Sequence, residues 1–209
     1  MDGRISTGLD PLDRELDGGF LPGSIVVLST PPESQSDPLL HAAMRGRPAT
    51  YVTTIRSEPV VEETLDRALG VEGNYEVTHV GVDDPLGRVR DRIELQREGT
   101  VVVVDVSGPI ERAATDADYV AFLNALKEGL IETDSVAILH AVDADGSPAL
   151  RRRTTEFADA VMELEVEDDG LQVENLLSIP KFRGDEPPEE RIKVELGRDV
   201  DIDTSRDIA

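Results

Sequence analysis

"SIVVLSTPPESQSDPLLHAA", residues 24–43, reads as a strand, a polar loop and a helix. Residues 25–28 form an unbroken apolar run, and a helical pattern begins at Pro38. A strand feeding a tight loop and a helix N-terminus is the local shape that cradles a phosphate, because free amides and the helix dipole point at the anion. The loop residues oppose that use. Thr30-Pro31-Pro32-Glu33-Ser34-Gln35-Ser36-Asp37 holds no glycine and no lysine, and it puts the Glu33 and Asp37 carboxylates where phosphate oxygens would sit. Like charges about 4 Å apart repel by about 4 kcal/mol at an effective dielectric of 20, worth nearly a thousandfold in affinity. Asp37-Pro38 suits a helix start in its own right, since aspartate is a favoured N-cap and proline a favoured first residue. We therefore expect Asp37 to cap the helix and meet its dipole in place of a phosphate.

Outward from this stretch, strands alternate with helices. Strands are expected at 24–29, 49–55, 75–80, 101–106 and 135–140, and helices at 38–44, 59–69, 85–97 and 118–133. The stretch 101–106 is the most apolar and reads as a central strand buried on both faces. Strands joined through helices imply right-handed crossovers and a mainly parallel sheet. The last third changes character: 160–166, 171–179 and 191–196 read as successive strands, with turns at 168–170 and 184–188. That predicts an antiparallel extension on one sheet edge. Residues 198–209 are polar and acidic and read as a disordered tail, leaving one α/β domain over 1–197.

The charge is extreme: 44 acidic against 21 basic residues, a net of -23, with Lys127, Lys181 and Lys193 the only lysines. At molar salt the Debye length falls to about 3 Å and the self-repulsion of such a surface largely disappears. With only 3% aromatic residues as well, the surface points to a salt-rich cytoplasm; an ordinary acidic protein is the plainer alternative. The chain lacks the basic footprint that duplex DNA requires. Arg151, Arg152 and Arg153 are consecutive and read as a solvated turn. The absence of cysteine excludes disulfides, thiol nucleophiles and thiolate metal sites. No apolar signal segment and no run near 20 apolar residues occurs, so a cytoplasmic protein without a membrane span is expected. His41, His79 and His140 have no metal-ligand spacing, and no metal site is expected. Asp105, at a strand end, reads as a cap of the following turn.

"ISTGLDPLDRELDGGFLPGSIVVLS", residues 5–29, resembles the start of RecA/RadA and KaiC-type ATPase domains. Thr7, Gly8, Leu12, Asp13, Gly18, Gly19, Gly23 and Ser24 keep that family's order and spacing. The resemblance implies a RecA-like P-loop NTPase fold, with a mainly parallel central sheet flanked by helices and a C-terminal antiparallel extension. It also implies where a nucleotide would sit, on G-x-x-x-x-G-K-[ST]. Here Thr30 and Gln35 stand at the glycine positions, Ser36 at the lysine and Asp37 at the hydroxyl, with Glu33 between them. "YVTTIRSE", residues 51–58, puts Ile55 and Arg56 where the family has its water-orienting acid, with Glu58 close by. "TVVVVDVSG", residues 100–108, resembles the strand that ends on the magnesium-assisting aspartate, and Asp105 takes that place. "SVAILHAVD" resembles the next strand, with His140 at its polar end. "TEFADAVMELEV" and "IPKFRG", ending at Val166 and Gly184, are similar to the KaiC-type hairpin region. There a lysine and an arginine reach a neighbouring subunit's ATP, and Lys181 and Arg183 match them. Their plain reading is two strand-end cations that pair with nearby acids such as Glu186 or Glu189.

These residues lead to an expectation of a RecA/RadA–KaiC-like paralogue without ATP hydrolysis, with no catalytic residue and no cofactor. It would act as a regulatory or assembly partner of an active ATPase, with a RecA-family protein or a second copy as its partner. Two other readings stay open: an atypical protein that binds ATP and magnesium, and an accessory factor in DNA recombination and repair.

Overall fold

The computed structural model describes residues 3–70, 73–81, 85–94, 97–144, 146–168, 170, 172–197 and 199–202. Its strands are β1 (Ile25–Thr30), β2 (Ala49–Thr53), β3 (Tyr75–His79), β4 (Val101–Asp105), β5 (Val136–Val142), β6 (Ala160–Asp168), β7 (Val173–Phe182), β8 (Ile192–Leu196) and β9 (Val200–Ile202). Its helices are α1 (Asp10–Glu15), α2 (Asp37–Met44), α3 (Glu58–Leu69), α4 (Pro85–Glu94), α5 (Gly108–Ala113), α6 (Asp116–Glu132) and α7 (Arg151–Phe157). The strands form one sheet in the order β3-β2-β4-β5-β1-β6-β7-β8-β9. The pairings among β3, β2, β4, β5, β1 and β6 are parallel, and those from β6 to β9 are antiparallel. The fold class is the expected one.

Side-chain alternation along the strands divides the core in two. Val26, Leu28, Val101, Val103, Val136 and Ile138 pack on one face with α1, α2 and α3, through Leu12, Leu40 and Leu65. Ile25, Val27, Val102, Val104, Ala137 and Leu139 pack on the other with α4, α5 and α6, through Val89, Ile110 and Leu126. A strand covered on both faces reads as a continuous apolar run, and this is why β4 was visible in sequence.

The N-terminal segment clamps the first face. Ile5 and Phe20 exchange backbone hydrogen bonds of 2.8 Å, and Asp13 accepts from the Thr7 amide and hydroxyl, both at 2.7 Å. Gly8 sits at φ +81° against α2, where a Cβ would lie 1.9 Å from the Ala42 carbonyl oxygen. Only glycine fits such a position without displacing the helix.

Four elements depart from the sequence reading. Helices α1 and α5 are six residues each, too short to show a period. Arg151, Arg152 and Arg153 open α7 instead of a loop, and its sequence RRRTTEF carries no apolar stripe to announce it. The expected tail begins with a strand: β9 pairs antiparallel with β8, and Ile202 is 8% exposed opposite Val194. Residues 198 and 203–209 of that tail, and 169 and 171 near the expected turn at 168–170, lie outside the described residues. Among the described residues, no helix is long and apolar enough to cross a membrane.

Candidate functional site

Strand register assembles a polar crevice at the C-terminal end of the parallel strands. Thr53, Asp105 and His140 lie level on β2, β4 and β5. A period of two puts Thr30, Tyr51, Asp105 and His140 on the sheet face that α2 and α3 cover, each following the apolar positions of its own strand. After β2, the Thr53 hydroxyl donates to the Arg56 carbonyl at 2.8 Å and accepts from its amide at 3.1 Å. This tight turn leaves Ile55 68% exposed and sends the Arg56 side chain back over the crevice.

Arg56 closes the crevice with one guanidinium. Nη1 donates to Asp37 Oδ2 at 2.7 Å, and Nη2 donates to Asp105 Oδ2 at 2.6 Å and to the Tyr51 hydroxyl at 3.0 Å. Tyr51 in turn donates to Asp105 Oδ2 at 2.8 Å. The other Asp105 oxygen lies 2.7 Å from His140 Nδ1. An ionised carboxylate only accepts, so Nδ1 carries a proton, and Nε2 lies 2.9 Å from Thr30 Oγ1 and 3.2 Å from Ser36 Oγ. The network joins β1, β2, β4, β5, the β2–α3 turn and the start of α2.

Electrostatics hold Asp105 ionised, Tyr51 protonated and Arg56 charged. Burial pushes the Asp105 carboxyl up, but hydrogen bonds and charge from His140 and Arg56 outweigh it and hold Asp105 well below the usual carboxylate range. Burial and the Asp105 charge drive the Tyr51 phenol well above 10, so it remains a donor. Burial disfavours the Arg56 charge, yet Asp37, Tyr51 and Asp105 raise its pKa above the ordinary arginine value. His41, one turn into α2, is pushed below 6.5, mainly by burial.

Four of the six family positions converge here, namely Thr30, Ser36, Asp37 and Asp105. Glu33 and Gln35 point to solvent. Two expectations need correction. Asp37 does not cap α2: Ser36 holds the N-cap position, and Asp37 is the first helical residue. Its carboxylate turns to Arg56 because a full cation offers more than a backbone amide. Asp105 does not cap the following turn either, since both its oxygens are taken inside the crevice.

The residues present do not fit a magnesium–triphosphate group. No lysine precedes Lys127 in the chain, and the two carboxylates at the crevice are held by an arginine of the same chain. Among the described residues, no group of three or more His, Cys, Asp or Glu side chains is arranged to hold a metal ion. Glu58 opens α3 and accepts from the His79 amide at 2.8 Å, away from the crevice.

The remaining motifs are used within the chain. Lys181 Nζ donates to the Thr155 and Glu156 carbonyls at 2.8 and 3.0 Å, and Arg183 donates to the Glu156 carbonyl at 3.0 Å. They close the C-terminus of α7; Arg183 also pairs with a nearby acid as expected, but with Asp159 at 3.9 Å in place of Glu186 or Glu189. The three consecutive arginines all meet acids: Arg151 meets Glu111 and Asp143, Arg152 meets Glu156, and Arg153 meets Asp116 and Glu156. Sequence reasoning missed the part played by Tyr51 and Arg56. The available signal was a single arginine directly after β2, two carboxylates lacking a cation, and a tyrosine on the same strand face as Thr53.

Comparison with known proteins agrees with this architecture. The chain is 29% identical over 178 residues to the DNA repair protein RadA of Mycobacterium tuberculosis, in strains CDC 1551 / Oshkosh and ATCC 25618 / H37Rv alike. The match covers 78% of this chain and 36% of RadA, so the chain spans about a third of these curated relatives. The KaiC-like protein PH0186 of the hyperthermophilic archaeon Pyrococcus horikoshii OT3 superposes with a TM-score of 0.76 at 17% identity, covering 97% of this chain and 99% of that one. That likeness shows the RecA-type fold of KaiC-like proteins. Residues 4–209 match the model of a family of unknown function, DUF7125, and the chain belongs to that family.

Proposed function

We propose that this protein is a RecA-family paralogue that does not hydrolyse ATP and serves as a regulatory or assembly partner of an active RecA-like ATPase. One observation carries the reading: the Arg56 guanidinium bridges Asp37 and Asp105 at the place where the family fold would receive phosphate and metal. A self-neutralised crevice has no charge left with which to attract a triphosphate, and Asp37 adds repulsion. The acidic, lysine-poor surface supports a salt-rich cytoplasm as the working environment. The test has two arms. Purified protein at molar salt shows no magnesium-dependent ATP turnover, and Ser36→Lys does not create it. Affinity capture from native high-salt cytosol retains an intact RecA-like ATPase. Turnover by the unmodified protein overturns the reading.

The similarity to a DNA repair protein favours a second reading, an accessory role in recombination and repair. Its discriminating measurement is a salt-dependent shift of a labelled single-stranded oligonucleotide. Lys181 and Arg183 enter the partner reading as a pair offered in trans to a neighbour's phosphate. For that they must leave the α7 carbonyls. Arg183→Ala then lowers the stimulation of the captured ATPase, and equal stimulation by both forms rejects the trans role.

A further inference from the structure

Arg56 meets its partners as a ligand meets a receptor. Its planar fork faces two carboxylates on different elements, one donor edge toward α2 and one toward β4, with the Tyr51 hydroxyl as a third acceptor. Two of the three acceptors, Asp105 and Tyr51, are tied to one another and to β5 without Arg56. Asp105 is fixed by His140 and Tyr51, and His140 is fixed by Thr30 and Ser36. Only Asp37 depends on the arginine. The Asp105–Tyr51 side of the receiving surface is therefore preformed, and its occupant is a side chain 30% exposed on a four-residue turn.

We propose that the crevice is a cation site with guanidinium specificity, whose resident ligand is the Arg56 side chain. When that side chain is removed, the site takes a free guanidinium ion in preference to a phosphate or a divalent metal. This deepens the reading of the crevice as closed to nucleotide but does not depend on the partner role. Three features set the specificity. The Asp37 and Asp105 carboxylates face the guanidinium directly, which attracts a cation and repels phosphate. Asp37 faces both Nη1 and Nη2 while Asp105 takes Nη2 from another element, a fork geometry that matches a planar guanidinium better than a compact ammonium. Divalent ions need converging oxygens that the described residues do not supply.

The experiment is chemical rescue of Arg56→Ala, read as thermal unfolding. Guanidinium or methylguanidinium is added at concentrations too low to denature, against sodium chloride of equal ionic strength because any salt relieves the net charge of -23. The expected result is a saturable rise in Tm for Arg56→Ala with either guanidinium compound. Wild type shows no rise beyond the sodium control, and neither does Arg56→Ala combined with Asp105→Asn. A larger saturable rise with magnesium chloride or magnesium-ATP overturns the inference, and so does the absence of any rescue. If Arg56→Ala does not fold, Arg56→Lys and Arg56→Gln decide by their Tm. Lysine, which keeps a cation, is expected nearer to wild type than glutamine; equal losses overturn the proposal. ATP turnover by wild type would sink the proposed function without bearing on guanidinium rescue, so the two failures are separable.

Discussion

Asp37 and Arg56 lie 19 positions apart in sequence yet share a 2.7 Å contact at the mouth of the crevice. Had Asp37 acted as a helix cap, its loss would cost the same with or without Arg56. As an ion pair with both partners about a third exposed, it instead predicts coupling of roughly 0.5–1 kcal/mol in a double-mutant cycle of Asp37→Ala and Arg56→Ala. Arg56→Ala alone is expected to cost about 2–3 kcal/mol, because it leaves buried Asp105 without its cation; the full cost of breaking a wholly buried pair is about 3–5 kcal/mol. Urea midpoints measure both. Acid lability follows from His41 and Asp105 in different windows. Burial lowers His41 below 6.5, so the folded state binds fewer protons there than the unfolded chain. Its contribution is full above about pH 6.5 and declines as the pH falls below it. Asp105 is depressed below the unfolded carboxylate value of about 3.9, so its contribution is full above that region and is lost as the pH falls further. The expected outcome is a smaller loss of Tm between about pH 7 and pH 5.5 in His41→Gln than in wild type, with the loss below about pH 4 reduced only in Asp105→Asn.

Short elements in this fold depend on what closes their ends. Helix α7 has seven residues and no side-chain N-cap, and its final carbonyls are met by Lys181 from β7 and by Arg183 just after it. A cation at a helix C-terminus contributes about 0.3–1 kcal/mol, more when partly buried. Lys181→Ala is therefore expected to destabilise the isolated protein by about 1 kcal/mol, measured by chemical denaturation with no partner present. An unchanged midpoint would free these cations for a role outside the chain. At the other end of the sequence, Gly8→Ala drives a Cβ into the backbone of α2. The expected cost is about 2–4 kcal/mol, because a left-handed φ and a backbone clash act together. The loss should appear as a lower urea midpoint with an unchanged m-value.

Across the whole molecule, the net charge of -23 is partly organised into ion pairs, including the two that Arg191 makes with Glu165 and Glu167. Exposed pairs of this kind contribute little each, whereas general self-repulsion acts on every acidic group. Raising sodium chloride from about 0.1 M to about 1 M shortens the Debye length from about 10 Å to about 3 Å. Stability should rise throughout that range. A gain of about 2 kcal/mol would appear as roughly 4–8 °C in Tm for a chain of this size. The crevice network, being buried, is screened less. The Tm difference between wild type and Arg56→Ala should therefore persist at high salt while the Tm of each protein climbs.

The sequence by itself determined the layered architecture. Continuous apolar runs such as Val101–Asp105 without its final residue can belong only to a strand covered on both faces, and the glycines at 8, 18, 19 and 23 fix turns through backbone sterics. Both signals are local, carried by a few consecutive side chains, and so they survive without knowledge of the fold. The loop from Thr30 to Asp37 likewise declared what it lacked. What occupies the crevice was decided only in three dimensions. Arg56 reaches Asp37 and Asp105 across separations of 19 and 49 residues. That meeting requires the β2–β4–β5 register and the placement of α2 over the same sheet face. The polar helix α7 and the three-residue strand β9 were equally hidden, since their stability comes from end contacts and a neighbouring strand, not from a pattern of their own.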